Sequence, residues 1–157
     1  MRSFKPHPAL RTRVLAIDIF ESADAESWVL PSTSAVLGLQ FRGRVRAGEH
    51  PLSTAGVTGL QTRARRYSYV GDTGSVLVRF TPQGQSCLGV HAAELADRNL
   101  ALDGLLAASR VGELRERLYA ATEDGARVAV VERFLLDLPF SRRSRRDACD
   151  RALGRRA

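Results

Sequence analysis

Apolar and polar residues alternate along the first half of the chain and recur at helical spacing along the second. Over residues 13–20, Leu15, Ile17 and Ile19 fall on one face and Val14, Ala16 and Asp18 on the other, the period of a half-buried strand. Trp28, Val29 and Leu30 make a short apolar segment that Pro31 and the Ser/Thr cluster after it bring to an end. Residues 35–42 place Leu37, Leu39 and Phe41 together, with Gly38, Gln40 and Arg42 opposite. The stretch 46–54, with Gly48, His50 and Pro51, reads as a loop. Strands are expected at 57–63, 65–70 and 76–80, with Gly71-Asp72-Thr73-Gly74 as a turn between the last two. Short strands separated by frequent turns predict a small barrel or sandwich.

After Pro82 the period changes. Residues 90–96 read as a short helix, and Asp103 as the cap of a second one starting near Gly104. Over 110–121, Val111, Leu114, Leu118 and Ala121 form one stripe, and Glu113 and Arg117 stand four apart in the favourable order. Gly125 separates this helix from 127–138, where Val131, Phe134, Leu135 and Leu138 line one side before Pro139 stops it. Two such helices with a short joint predict an antiparallel hairpin. Ser144, with Asp147 three residues on, reads as a capping box opening a last helix.

Composition sharpens this picture. The chain has 157 residues, 44% of them apolar, so it is read as one domain with an appended segment. Its longest apolar runs, such as Val128-Ala129-Val130-Val131, are too short to span a bilayer, and no apolar stretch follows Met1 as a secretory leader would require. Two cysteines, Cys87 and Cys149, suit a reducing compartment, so a cytoplasmic location is expected. The net charge of +7 is unevenly spread. Residues 139–157 hold seven arginines against Asp147 and Asp150, which leaves the body close to neutral. A nucleic-acid argument therefore applies to the tail, where Arg142, Arg143, Arg145 and Arg146 would give salt-sensitive contacts to phosphates without reading bases.

Motifs for catalysis are sparse. Cys87, His91 and Glu94 have a spacing compatible with a ligand cluster or a Cys–His pair, but a surface helix cap explains them as well. No nucleophile elbow, phosphate loop or dinucleotide fingerprint occurs, so no enzyme, cofactor or metal is expected. Polar residues on strand faces suit a ligand pocket better. Arg65, Tyr67 and Tyr69 share a face, Arg79 points away from Val76, Val78 and Phe80, and Gln40 opposes the apolar face of its strand. A solvated outer face would produce the same pattern.

The ordered set Gly59-Leu60-Gln61-Thr62, Arg79-Phe80-Thr81-Pro82-Gln83-Gly84, Leu88-Gly89-Val90-His91-Ala92-Ala93-Glu94-Leu95-Ala96-Asp97 and Leu102-Asp103-Gly104-Leu105 resembles the N-terminal domain of one branch of the AraC-type transcriptional regulators. The resemblance covers roughly residues 8–138, with Pro31-Ser32-Thr33 where the family has a Pro-Asp-Gly turn and Pro82-Gln83-Gly84 at its Pro-Gly corner. It implies an α+β fold, a small cupin-like β barrel or half-barrel followed by a C-terminal helical hairpin. It also implies a sensor or dimerisation domain over 1–138, which binds a small effector, forms a homodimer, or both. Residues 139–157 would then be an Arg-rich linker or the start of a helix-turn-helix domain that this chain does not include.

On this reading Gln40, Arg65, Tyr67, Tyr69 and Arg79 are the ligand-binding candidates, and Leu114, Leu118, Tyr119 and Leu136 the dimer-contact candidates. DNA would be read by the absent domain, or touched weakly by the tail. The alternatives are a standalone DNA-binding protein that uses its arginines and, third, a cupin-like enzyme.

Overall fold

A computed structural model of the chain describes residues 1–138. In chain order the strands are β1 (Arg2–Phe4), β2 (Val14–Ser22), β3 (Ala25–Val29), β4 (Val36–Ala47), β5 (His50–Pro51), β6 (Ala55–Thr58), β7 (Arg65–Phe80) and β8 (Asn99–Ala101). The α-helices among the described residues are α1 (Ala92–Leu95), α2 (Ala108–Ala120) and α3 (Asp124–Leu136). The fold is thus α+β, with one eight-stranded antiparallel sheet that does not close on itself. Its order is β1-β2-β7-β4-β6-β8, with β3 added to β7 and β5 to β4.

The sheet is organised on β7, which runs for 16 residues straight through the expected Gly71–Gly74 turn. A reversal there would require the two halves of β7 to pair with each other. Instead β4 flanks both halves on one side, while β2 and β3 share the other side end to end. The glycines serve a bend. Gly71 has φ +74°, and opposite it β4 is bulged between Gln40 and Arg44, with Gly43 at φ +66°. A Cβ on Gly74 would lie 2.3 Å from the Phe41 ring, so that ring fills the space a side chain would need.

Three further expectations are corrected. Leu15 does not join Ile17 and Ile19, because a register shift between Val14 and Ala16 turns it outward and buries Val14 instead. The expected loop at 46–54 is largely paired: β4 continues to Ala47, and a tight turn at Gly48 (φ +59°) returns the chain into β5. Asp103 caps no helix, since it lies inside a 3-10 turn at Leu102–Gly104.

The helices cover one face of the sheet. Ile17, Ile19, Leu37, Leu39, Val76 and Val78 are buried in one cluster with Val111, Leu114 and Leu118 of α2 and Val131 and Leu135 of α3. The helical stripes read from sequence are therefore core. Leu114 and Leu118 are 3% and 1% exposed, so as dimer contacts they are excluded by burial, whereas Tyr119 and Leu136 remain on the surface. The Glu113–Arg117 pair forms at 2.6 Å, with both side chains in solvent, and contributes a few tenths of a kcal/mol. Arg127 of α3 lies 4.0 Å above the centre of the Phe41 ring, which ties the helical layer to the bend. The largest exposed apolar side chains include Trp28 and Leu30, on and just after β3. No helix among the described residues is long and apolar enough to cross a membrane.

Two glycine substitutions probe this architecture in opposite directions. Gly74→Ala drives a methyl group into the Phe41 ring and is expected to destabilise the protein by about 1–3 kcal/mol. Gly112→Ala, inside α2 with open space at its Cβ, should stabilise it by about 0.5–1 kcal/mol. Urea unfolding followed by circular dichroism measures both, and a neutral Gly74→Ala would show that the bend is not locked by Phe41.

Candidate functional site

The face of the sheet turned away from the helices holds a cavity of about 470 Å³, within the range of small-molecule sites. Both halves of the bent β4–β7 ribbon contribute to it. Gly38, Gln40, Ser75 and Leu77 come from the half over the helices, and Val45, Tyr67 and Tyr69 from beyond the bend. Side chains alternate along a strand, so residues 36, 38 and 40 of β4 line the cavity while Leu37 and Leu39 enter the core.

The walls are rings, aliphatic groups and neutral polar groups. Phe20 and Tyr69 pack with ring centres 4.8 Å apart and an interplanar angle of 42°. The Tyr69 hydroxyl meets Ser27 Oγ at 3.3 Å, and Gln61 Nε2 donates to Tyr67 Oη at 2.7 Å. Gln40 Nε2 donates to the Ser53 carbonyl at 3.1 Å. Because a backbone carbonyl only accepts, this contact fixes which end of the Gln40 amide is nitrogen. Gln40 and Gln61 are 6% and 5% exposed, and the Oε1 of each is buried with no hydrogen-bond partner among the described residues. No Asp, Glu, His, Lys or Arg lines the cavity.

The ligand-binding candidates divide on this geometry. Gln40, Tyr67 and Tyr69 are brought together in the cavity, and Arg65 and Arg79 lie outside it. Arg79 continues the row of Ser75 and Leu77 but is bound to Asp18, its Nε 2.9 Å from Asp18 Oδ2. Arg65 donates to the backbone carbonyl of Asp97. Leaving a guanidinium unpaired in a neutral cavity would carry a large desolvation cost, and both arginines have polar partners elsewhere. Gln61, Phe20, Gly38 and Gly56 were not singled out from the sequence. Only the glycines carried a signal, because glycine inside a strand marks a close approach. Arg142, Arg143, Arg145 and Arg146 lie outside the described residues.

Gln61 is positioned by a joint between its loop and α1. Asp97, at φ +55°, accepts from the Thr62 backbone N–H at 2.9 Å and the Thr62 hydroxyl at 2.6 Å. Its own N–H donates to the Leu60 carbonyl at 2.9 Å. Gly59 passes so close to Leu95 that a Cβ would lie 1.7 Å from the Leu95 carbonyl oxygen. Gly59, Thr62, Leu95 and Asp97 thus meet in one structural contact. The hydrogen bonds from the Thr62 side chain and then its backbone hold the Asp97 carboxyl below its ordinary 3.8, because they favour the charged form.

Cys87 is buried, whereas His91 and Glu94 are exposed. Burial pushes the Cys87 thiol up to about 11, which leaves little thiolate at neutral pH. Among the described residues no three His, Cys, Asp or Glu side chains are grouped closely enough to hold a metal ion. No protein-family model matches the chain, and neither does any curated protein or solved structure.

Two outcomes follow. Because the folded Asp97 is more acidic than the unfolded one, its stabilisation is complete above about pH 5 and is lost as pH falls through the folded value. The urea midpoint gap between the parent protein and Asp97→Ala should therefore be widest at neutral pH and narrow on acidification; a gap independent of pH would contradict the role of the charge. In a Cys149→Ser background, Cys87 should react with a thiol reagent at pH 8 only as fast as the protein unfolds, and rapid native labelling would contradict its burial.

Proposed function

We propose that this chain is a non-enzymatic regulatory domain of the AraC-type transcription regulator kind, built as a cupin-like half-barrel with a C-terminal helical hairpin. It acts in the cytoplasm, binds a small-molecule effector and passes the binding event to a DNA-reading domain. The observation that carries this reading is the cavity of about 470 Å³, whose lining offers rings, hydroxyls and amides for holding a molecule. Transmission requires the effector to bind one arrangement of the domain more tightly than another, typically by about 1–3 kcal/mol. The same ribbon that lines the cavity packs its other face on the helices, so a ligand that shifts β4 or β7 also shifts the helical layer. Exposed Tyr119 and Leu136 are the surface through which the domain would form a homodimer.

A second reading, a small DNA-binding protein in its own right, is favoured by the seven arginines in residues 139–157.

Two measurements separate them. A thermal-shift screen of small organic molecules on the whole chain should give hits, since a ligand at a hundredfold excess over Kd adds about 2.7 kcal/mol to stability. Filling the cavity with Gly38→Leu should remove those hits, and a screen with no such hits rejects the effector role. Fluorescence anisotropy with duplex DNA should show weak, sequence-indifferent binding that fades with salt and disappears when Arg142, Arg143, Arg145 and Arg146 are all changed to alanine. A sequence preference that survives high salt would make the second reading correct.

A further inference from the structure

Two glycines lie face to face in the floor of the cavity. Gly38 of β4 and Gly56 of β6 are direct cross-strand partners, and both line the cavity. The fold explains only one of them. A Cβ on Gly56 would come within 3.0 Å of the Leu100 carbonyl oxygen on β8, so close passage of that strand accounts for the missing side chain. A Cβ on Gly38 would meet nothing nearer than Leu77 Cδ2 at 3.8 Å and the Gly56 oxygen at 3.9 Å, both ordinary contacts. Nor does Gly38 adopt a left-handed backbone conformation. Glycine inside a strand weakens it relative to a side-chain-bearing residue. Position 38 therefore sacrifices strand stability for bare backbone where no protein group occupies the space.

The remaining lining specifies what could lie on that floor. Phe20, Tyr67 and Tyr69 offer ring faces and edges beside it. An ionised ligand would enter this space without a counter-charge, which opposes both carboxylates and ammonium groups. The Gln40 amide is fixed by its bond to Ser53 and is left with a buried carbonyl oxygen lacking a donor, and Gln61 repeats the pattern beside Tyr67. Both carbonyls lack a donor, and because neither oxygen has surface open to the cavity, a ligand's donor reaches one only when that amide turns toward it.

Resting on the effector-binding reading above, we propose that the cavity takes a flat, uncharged ring compound bearing an N–H or O–H donor, laid on the Gly38–Gly56 floor with the donor directed to Gln40 or Gln61.

Three probes that differ in one property each test this on the full chain by isothermal titration calorimetry: indole, 1-methylindole without the donor, and indole-3-carboxylate with a charge. Indole should bind about fivefold more tightly than 1-methylindole, the worth of one hydrogen bond, and at least about tenfold more tightly than the carboxylate. Gln40→Met and Gln61→Met keep the bulk and delete the carbonyl, and the one that receives the donor should bring indole and 1-methylindole to equal affinity. Gly38→Leu should abolish binding of all three while leaving the thermal midpoint unchanged or higher, which separates a blocked floor from a damaged fold. Should Gly38→Leu unfold the protein, Gly38→Val serves as the milder filling.

The proposal is overturned if indole-3-carboxylate binds as well as indole, if neither glutamine variant alters the indole preference, or if none of the three probes binds. The broader reading survives each of these results when the thermal-shift screen still returns hits sensitive to position 38. If the screen returns none, the effector-binding reading fails too.

Discussion

The rest of the molecule depends on the contact between the Phe41 ring and the bare backbone of Gly74. It accompanies a bulge at which two long paired strands bend together, their pairing resuming on either side of it. On one side of the bend the ribbon presents Leu37, Leu39, Val76 and Val78 to the helices. Beyond it, Val45, Tyr67 and Tyr69 meet the opposite face of the same ribbon across the cavity. A flat ribbon of the same sequence would have a core but no cavity. The bend is also braced from outside, by Arg127 stacked on Phe41 and by Arg42 held between Glu21 and Asp72.

The two faces of the sheet follow different rules. The helical face is closed by large aliphatic groups, the usual solution for a dense core. The cavity face uses glycine, serine and amides where a core would use leucine, and it leaves two buried carbonyls unmatched. Native interiors rarely tolerate such groups without a reason. The loop that carries Gln61 belongs to no strand, and it is held by the backbone bridge between Gln61 and Ser32 together with the Thr62–Asp97 joint.

Much of the fold could be read from periodicity. Alternation placed strands at 13–20 and 35–42, and the helical stripes identified Val111, Leu114, Leu118, Val131 and Leu135 as one apolar surface. What escaped was set by partners distant in sequence. Leu15 looks like a core residue until a register shift opposite Phe80 and Arg79 turns it out. Gly71–Gly74 looks like a turn until β2, β3 and β4 supply partners for both sides of it. The site was legible to the same extent. Alternation gives the face of Gln40, Tyr67 and Tyr69 but not how far along a strand the cavity extends, and so it could not set Arg79 apart from Leu77 two residues earlier. Gln61 lies in a loop where no period operates.

The lone tryptophan has a consequence for watching this protein at work. Trp28 is 68% exposed in the folded state, on a strand whose next residue, Val29, lines the cavity. Its indole is already largely in water, so intrinsic fluorescence changes little when the core melts and is a poor gauge of global unfolding. The same position makes it a local reporter, because a molecule that displaces Val29 must move the neighbouring backbone. An emission change without a matching change in circular dichroism would therefore signal rearrangement of the cavity wall rather than loss of the fold.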